Sequence, residues 1–387
     1  MPILNRAAEL QDEVKGWRRH LHENPELMFD VHETARFVEG KLREFGVDEI
    51  VTGMGRTGVV AVIKGKRGPG ETLGLRADMD ALPIKETSGV PHTSKVEGKM
   101  HACGHDGHTA MLLGAAKYLA ETRNFNGTVV VIFQPAEEGG GGGREMVQDG
   151  LMDRFKIDRV YGMHNMPQIP VGEFTIRSGA FFAATDQFVI TVKGKGGHAA
   201  MPNGCIDPIV IGAQIVQGLQ TIASRTVDPI GSVVVSVTQF NAGKAFNVIP
   251  ETAKIAGTIR TLDADIRAQA EERLKAISIG IAETFGATAD IQFWRGYPVT
   301  VNDPGETDTA IDNASAIVGP ENVGRDIEPF MGGEDFAYML EQRPGSMILI
   351  GNGDSAGLHH PAYDFNDEII PYGISYWASL AENNRAS

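Results

Sequence analysis

Hydrophobic positions in the first 165 residues recur with two different periods. Residues 8–23 and 32–45 repeat them with helical spacing, and Gly46 follows the second run as a helix-ending residue. Residues 107–121 predict a further helix. Apolar runs rich in β-forming residues predict strands at 58–64, 72–77, 128–134 and 159–164. Strands separated by helices predict an α/β sheet that is largely parallel.

Beyond this sheet the order of elements changes. The pattern predicts β-α-β-β-α-β, the ferredoxin-like split motif, with strands at 186–193, 232–240, 253–262 and 288–295 and helices at 207–224 and 264–285. Residues 307–387 then return to helix, strand (346–351) and helix. A chain of 387 residues suggests two domains. We expect an outer domain of 1–180 plus 297–387 and an inserted α+β domain of 181–296.

Composition narrows the class of protein. With 42% apolar and 22% charged residues the chain is typical of a globular protein. It has no apolar run of about 18 residues, so no membrane span is expected. The N-terminus lacks the features of a signal peptide, and the two cysteines are Cys103 and Cys205, which favours a reducing cytoplasm without disulfides. A net charge of −15 argues against nucleic acid as a partner.

Polar residues follow the ends of three predicted strands. Asp78 and Asp80 follow the second strand, Glu137 and Glu138 follow the third, and His164 ends the fourth. In α/β sheets, chemistry collects beyond the carboxyl ends of the strands. We therefore expect these side chains to meet on one rim.

The segment 101–108 concentrates four side chains that bind metals or carry protons: His101, Cys103, His105 and His108. In a tight turn, Cys103 and His105 could reach one ion. From this segment alone, a nucleophilic Cys103 with a neighbouring histidine as its base stays an alternative.

The adjacent carboxylates of Glu137 and Glu138 decide between these two interpretations. Neighbouring carboxylates repel each other in a low-dielectric site unless a cation neutralises them. They end an apolar strand instead of standing in a charged stretch, and a thiol hydrolase would have no need for them. The glycines at 139–143 lack the Gly-Lys-Ser/Thr ending of a phosphate loop, so nucleotide binding is not expected. The residues favour metal-dependent hydrolysis.

Seven motifs in order resemble one protein family over nearly the whole chain. They are 75–83 (LRADMDALP), 101–108 (HACGHDGH), 133–139 (FQPAEEG), 162–165 (GMHN), 196–200 (GGHAA), 246–250 (FNVIP) and 358–361 (LHHP). They resemble the metal-dependent amidohydrolases that include hippurate hydrolase, N-acyl-L-amino-acid amidohydrolases and auxin-conjugate hydrolases, within the aminoacylase/carboxypeptidase superfamily.

The resemblance implies a fold and an activity. The fold is a zinc-exopeptidase-like catalytic domain whose inserted ferredoxin-like domain acts as a mobile lid and provides homodimer contacts. The activity is hydrolysis of N-acyl amino acids to a carboxylic acid and a free amino acid. Two divalent ions per subunit (Mn, Zn, Co or Ni) are implied as cofactors.

The resemblance also assigns roles to residues. The metal ligands that it implies are Cys103, His105, Glu138, His164 and His359. Glu137 is the expected general base, and His198 is expected to polarise the scissile carbonyl. Asn247 and Arg260 match contacts to the substrate; the alternative for Arg260 is a surface arginine at a strand edge. Asp80 matches an acid that supports the ligands without binding the metal.

The other histidines receive structural interpretations. His101 and His108 are expected to support the cluster, and His360 is excluded as a ligand. Ordinary surface or core positions are expected for His20, His22, His32 and His92.

Three rival functions share some of these residues. A dipeptidase or carboxypeptidase would use the same motifs, and a thiol hydrolase would use Cys103. An inactive metal-dependent binding protein would be expected to have lost Glu137, which is present.

Overall fold

The computed structural model of the chain describes residues 3–386, which form two compact units. The first unit comprises 3–179, 301–328 and 335–386, and the second comprises Ala180–Thr300 and Pro329–Glu334. Within residues 3–386, no helix has both the length and the apolar composition needed to cross a membrane.

The helices and strands alternate through most of the chain. The helices are α1 (Asn5–Glu23), α2 (His32–Phe45), α3 (His105–Thr122), α4 (Gly142–Gln148), α5 (Leu151–Arg154), α6 (Pro208–Thr221), α7 (Ala264–Thr284), α8 (Pro304–Val318), α9 (Ala337–Leu340) and α10 (Ile370–Glu382). The strands are β1 (Glu49–Met54), β2 (Gly58–Lys64), β3 (Thr72–Asp78), β4 (Thr128–Gln134), β5 (Arg159–Pro167), β6 (Phe174–Thr175), β7 (Gly179–Phe182), β8 (Ala184–Lys193), β9 (Gly197–His198), β10 (Val233–Ala242), β11 (Val248–Ile249), β12 (Thr252–Thr261), β13 (Thr288–Arg295), β14 (Thr300–Asn302), β15 (Val323–Gly324) and β16 (Gly345–Gly353).

A mixed sheet forms the centre of the first unit, in the strand order β1-β2-β4-β3-β5-β16-β6-β15. The inner pairs β3–β4, β3–β5 and β5–β16 are parallel, whereas β1–β2 and β2–β4 are antiparallel. Strands β3, β4 and β16 are buried almost throughout their length, which is the pattern of a sheet covered on both faces. Continuous apolar runs in the sequence have this burial as their physical cause.

The second unit contains an antiparallel sheet of order β10-β12-β8-β13. Residues of β8 and β12 alternate between buried and more exposed positions, so only one face of this sheet is covered. Ile190 and Ile255 of the sheet join Ile215 of α6 and Leu274 of α7 in a separate apolar core. The strand order and the two helices on one face make this a ferredoxin-like arrangement.

The predicted fold class is confirmed: an α/β sheet is interrupted by an inserted α+β unit. Helix α2 ends at Gly46, as expected, with a left-handed φ of 70°. The sequence pattern does not predict β1, because this edge strand buries only Met54 fully.

The two units also divide the chain differently from the predicted boundaries. The segment Pro329–Glu334 belongs to the second unit because Phe330 stacks on Phe182, with ring centroids 5.4 Å apart. The main-chain N–H of Ala183 donates to the oxygen of Phe330 over 3.0 Å. These contacts join residues far apart in sequence, and no local pattern announces them.

Candidate metal centre

The carboxyl ends of β3, β4 and β5 meet at one edge of the first unit's sheet. Asp78 ends β3 and pairs with Gln134, which ends β4. His164 lies on β5, the other neighbour of β3. Parallel pairing therefore places the residues that follow these strands at the same edge, among them Asp80 and the pair 137–138.

Two histidines at this edge use Nδ1 for a main-chain hydrogen bond and leave Nε2 as the metal-binding atom. His105 donates from Nδ1 to the main-chain oxygen of Asp80 over 2.8 Å, and His164 donates from Nδ1 to that of Asn165 over 2.6 Å. A carbonyl oxygen only accepts, so Nδ1 carries a proton in each ring and Nε2 is the atom left to bind a metal. Burial lowers the pKa of His164, whereas for His105 the charge of Asp78 outweighs burial and holds the pKa well above its usual value, so its Nε2 releases a proton when a metal binds. Nε2 of His164 lies 3.4 Å from Sγ of Cys103. Nε2 of His105 is buried and has no hydrogen-bond partner among residues 3–386.

Asn165 holds the turn that carries Cys103. Its Nδ2 donates to the main-chain oxygen of Cys103 over 2.6 Å, and its Oδ1 accepts from the hydroxyl of Tyr363 over 2.6 Å. Gly104 follows with a φ of 90°, and a Cβ there would lie 2.2 Å from Nδ2 of Asn165. Only glycine permits this close approach. The residue next to the ligand His164 therefore also fixes the cysteine.

The C-terminal motif joins the cluster through the main chain. The N–H of His359 donates to the oxygen of Ala102 over 2.7 Å, and its Nε2 lies 3.2 Å from Oε1 of Glu138. Oε1 of Glu138 is buried, and although His359 lies within ion-pair distance, the two atoms do not have the angles of a hydrogen bond. A buried polar atom without a partner calls for a missing group, and a cation between these two ligand atoms would supply it.

The side chains of this cluster form three groups whose ligand atoms lie within 4.8 Å of one another. The groups are Cys103–His105–His164, Cys103–Glu138–His359 and His105–Glu137–Glu138. The structure thus brings together all five ligands that the resemblance implies and places Glu137 beside them. Sulfur, imidazole and carboxylate donors suit divalent transition metals. The buried, unpartnered Nε2 of His105 fits such an ion.

Electrostatics keep Cys103 and His164 neutral in the absence of a cation. Burial raises the pKa of the Cys103 thiol well above its usual value, and the charge of Glu138 raises this pKa further. Burial lowers the pKa of His164 well below its usual value, and His108 acts in the same direction. The pair therefore lacks the thiolate and imidazolium that a cysteine nucleophile uses.

Asp80 supports the two glutamates from behind. Its buried carboxylate accepts the N–H of Glu137 over 2.9 Å and that of Glu138 over 3.2 Å. Ala136, directly before them, has a φ of 53°, a conformation that strains a residue with a Cβ. The two hydrogen bonds stabilise this turn. Because Asp80 also accepts from His105, it links the turn to a ligand on α3.

Asp78 lies beneath the cluster, between an arginine and a histidine. It accepts from Nη1 of Arg76 over 2.8 Å, and Nδ1 of His108 lies 2.7 Å from its other oxygen. Nε2 of His108 accepts the main-chain N–H of Asn165 over 2.9 Å. Both ring nitrogens of His108 are therefore used inside the fold.

His198 and Asn247 lie together in the second unit, His198 on β9 and Asn247 directly before β11. His198 pairs with Val248, and the N–H of Ala199 donates to the oxygen of Asn247 over 3.0 Å. Both side chains are exposed. The structure therefore places these two candidates for substrate contact next to each other.

Arg260 lies elsewhere in that unit. It is near the far end of β12, about 26 Å along the strand from Thr252 at about 3.3 Å per residue. Because β12 runs between β10 and β8, the interpretation of Arg260 as a strand-edge residue is wrong. Burial lowers the pKa of Arg260, and the charge of Asp186 partly offsets this. Within one chain, Arg260 does not meet His198 and Asn247.

Sequence reasoning missed a buried ionic network beside the cluster. Nδ1 of His22 lies 2.7 Å from Asp106 and Nε2 lies 3.3 Å from Glu86. The wholly buried Arg18 lies 3.6 Å from the same Asp106 carboxylate, next in sequence to His105. A signal was available, because Arg18 and His22 lie four residues apart on the face of α1 that is buried.

A family model described as Peptidase family M20/M25/M40 matches residues 74–383. The chain belongs to this family. The matched residues contain the whole ligand cluster and both candidates for substrate contact, His198 and Asn247. The resemblance inferred from the motifs is confirmed.

Relatives of this M20-family chain match it nearly end to end. Hippurate hydrolase of Campylobacter jejuni is 43% identical over 381 residues, which cover 98% of this chain and 99% of that protein. An N-acetylcysteine deacetylase of Bacillus subtilis is 40% identical over 94% of each. A solved Bacillus subtilis structure, described as a dinuclear metal binding peptidase from the M20 family, is 36% identical, with a TM-score of 0.85 over 97% of this chain and 98% of that one. The chain is therefore a hydrolase that acts on amide bonds.

Proposed function

We propose that this enzyme hydrolyses N-acyl amino acids to a carboxylic acid and a free amino acid. The observation that carries the proposal is the position of Glu137, a buried carboxylate beside five candidate metal ligands. Two relatives of high identity are named for hippurate and N-acetylcysteine, which are both N-acyl amino acids with a free carboxylate. The chemistry of the site and the names of these two relatives support this substrate class.

The cluster would hold two divalent ions, with Mn, Zn, Co and Ni as candidates. Its donors are one thiol, three imidazoles and a carboxylate, and Cys103 belongs to two of the three groups, so one shared residue could serve both ions. When bound, such ions act as Lewis acids that polarise the amide carbonyl and acidify a water molecule. A relative described as a dinuclear metal binding peptidase supports the number of ions.

Glu137 would act as the general base. Its side chain is 7% exposed and shares a group with ligand atoms of His105 and Glu138. From there it can take a proton from the attacking water and deliver it to the departing amine. Asp80 fixes its main chain, so the carboxylate is held in place before the reaction begins.

Asn247 and His198 would contact the substrate, Asn247 at the free carboxylate and His198 at the scissile carbonyl. With a net charge of −15 the protein repels an anion at long range, so the carboxylate must be held by local donors. Their adjacent, exposed positions support this assignment. Arg260 is left out of this clamp because of its distance along β12.

The enzyme would form a homodimer through the second unit. Strand β10 lies at an edge of the four-stranded sheet and exposes Val234 and Phe240 to 38% and 40%. An apolar sheet edge can pair with a second copy. Sedimentation at equilibrium would show the mass of two subunits. A cytoplasmic location fits the free thiols of Cys103 and Cys205.

A substrate panel tests the proposed activity. N-benzoyl and N-acetyl amino acids and matched dipeptides are assayed with the apoenzyme and each of the four metals. We expect the N-acyl amino acids to give the highest kcat/KM and chelation to abolish activity reversibly. A preference for dipeptides would identify a dipeptidase or carboxypeptidase. Activity that survives chelation but is lost to iodoacetamide would identify a thiol hydrolase.

A further inference from the structure

The turn that carries Glu137 and Glu138 runs from the end of β4 to the start of α4. Its middle is held by Asp80, as described above. Its two ends are held by a second buried carboxylate, that of Asp335. Oδ1 of Asp335 accepts from Nε2 of Gln134 over 2.7 Å, and Oδ2 accepts the main-chain N–H of Gly143 over 2.8 Å. One side chain therefore ties both ends of this turn together.

The glycines of this turn permit that arrangement. A Cβ on Gly143 would lie 2.9 Å from the main-chain oxygen of Asp335. A Cβ on Gly142 would lie 1.7 Å from the main-chain oxygen of Pro135. Both distances are too short for any side chain, so the two ends can close only if these residues are glycine. Close packing therefore explains Gly142 and Gly143 of the glycine run at 139–143.

Arg76 completes the contact. It is 1% exposed and donates from Nη2 to Oδ1 of Asp335 over 3.0 Å and from Nε to Oε1 of Gln134 over 3.0 Å. The same guanidinium donates to Asp78. A buried cation shared by two carboxylates compensates the cost of burying them. Asp335 is thus the acceptor in each of these hydrogen bonds, and one of its carboxylate oxygens also lies within 4.8 Å of a carboxylate oxygen of Glu137.

We propose that Asp335 is a positioning residue, which holds the turn so that Glu137 and Glu138 face the metal cluster. It acts through Gln134 and Gly143 and does not touch the substrate. The inference rests on the proposed roles of the two glutamates. It predicts that disturbing Asp335 displaces a metal ligand and the general base together, because both belong to the turn that it closes.

Asp335→Asn tests this inference with little change in volume. The amide places an NH₂ group against N–H donors on one side, so the turn loses a contact at one end. Titration of the apoenzyme with Co²⁺ should show affinity reduced by about 10–100-fold for at least one ion, the range found when partners of metal ligands are removed. At saturating Co²⁺, kcat should stay reduced by at least about tenfold while KM changes less than about twofold, because Glu137 is displaced as well.

Glu306→Gln is the matched control. Glu306 is a buried carboxylate of the first unit that accepts from Nη1 of Arg159 over 3.0 Å and from the hydroxyl of Tyr161, away from the cluster. It should lower thermal stability and leave Co²⁺ affinity and kcat within about twofold of wild type, since loss of a buried hydrogen bond by itself acts on stability. Gly143→Ala keeps the carboxylate but pushes on it, since the new Cβ would lie 3.2 Å from Cγ of Asp335, and should reproduce the Asp335→Asn result.

Wild-type Co²⁺ affinity and kcat in both Asp335→Asn and Gly143→Ala would overturn the inference. Equal losses in Glu306→Gln would do the same, since they would show a general response to buried charge. Failure of the proposed function is a separate outcome. If the wild-type enzyme cleaves no N-acyl amino acid, the Co²⁺ titration still reports whether Asp335 positions the ligand turn.

Discussion

Sγ of Cys103 lies 3.4 Å from Nε2 of His164, and that nitrogen carries a lone pair because Nδ1 donates to a main-chain oxygen. A thiol beside an imidazole is the geometry of a cysteine nucleophile as well as that of a metal site. Burial distinguishes the two, because it raises the pKa of the thiol and lowers the pKa of the imidazole. A neutral pair with its ligand atoms facing each other favours a metal site.

Metal should therefore protect Cys103 from alkylation. In the apoenzyme we expect slow modification of this thiol by iodoacetamide, and in the metal-loaded enzyme none. Cys205, which is half-buried in the second unit, serves as the internal control and should react equally in both forms. Peptide mass spectrometry measures both sites. An acyl group trapped on Cys103 during turnover would contradict the assignment.

Glutamine substitutions should separate the roles of the adjacent glutamates. Glu137→Gln keeps the shape of the side chain but removes the base, so turnover should fall by about 10²–10⁴-fold with metal content near that of wild type. Glu138→Gln should instead lower metal content, because Glu138 faces His359 across the ligand cluster. Turnover and elemental analysis of the two variants are compared. Substantial activity in Glu137→Gln would show that another residue is the general base.

Binding of the substrate carboxylate should depend on Asn247. Asn247→Ala should raise KM for N-benzoyl amino acids by about 10–100-fold, the cost of a lost hydrogen bond to a charged group, and leave the matching carboxamides nearly unchanged. Arg260→Ala is the comparison, because Arg260 lies about 26 Å along β12 from Thr252. An equal effect of Arg260→Ala would require the two residues to come from different copies of the chain. Equal wild-type rates on acids and carboxamides would show that the enzyme does not bind the substrate through its carboxylate.

The buried His22 should make the free energy of unfolding fall as the pH becomes alkaline. Burial alone would lower its pKa, but the charge of Asp106 and the hydrogen bonds that the ring donates to Asp106 and Glu86 raise it to about 9. Because this value lies above the usual 6.5, protonated His22 stabilises the fold fully below pH 6.5. That stabilisation is lost as the pH rises towards 9.

His22→Gln should remove this dependence. The variant should lose on the order of 3 kcal/mol of unfolding free energy at pH 6, and its stability should vary less than that of wild type between pH 6.5 and 9. Urea denaturation of the metal-free protein at several pH values gives the measurement. His32→Gln, at an exposed position, should behave as wild type. An unchanged pH slope in His22→Gln would show that another group carries the dependence.

The sequence by itself determined the fold class, most of the strands and helices, and the composition of the metal cluster. Strands covered on both faces must be apolar throughout, and strands covered on one face must alternate, so burial leaves a readable pattern at β4 and β12. Cys103 and His105 lie in one short segment, so their shared chemistry is visible without a structure. The same holds for the adjacent glutamates, whose repulsion calls for a cation.

Only the tertiary structure decided which atoms face one another. Asp335 contacts Gln134 across 201 positions of sequence, and His22 meets Asp106 across 84, so no local spacing could predict either pair. Arg76 interrupts an apolar strand, and only the structure explains why a charged residue stands there: it forms ion pairs with two buried carboxylates. The sequence suggested that Arg260 and Asn247 bind the same substrate carboxylate, but the length of β12 places them apart. Patterns along a chain report burial, because burial depends on each residue's own secondary structure, whereas ion pairs and hydrogen bonds depend on where the fold brings the second partner.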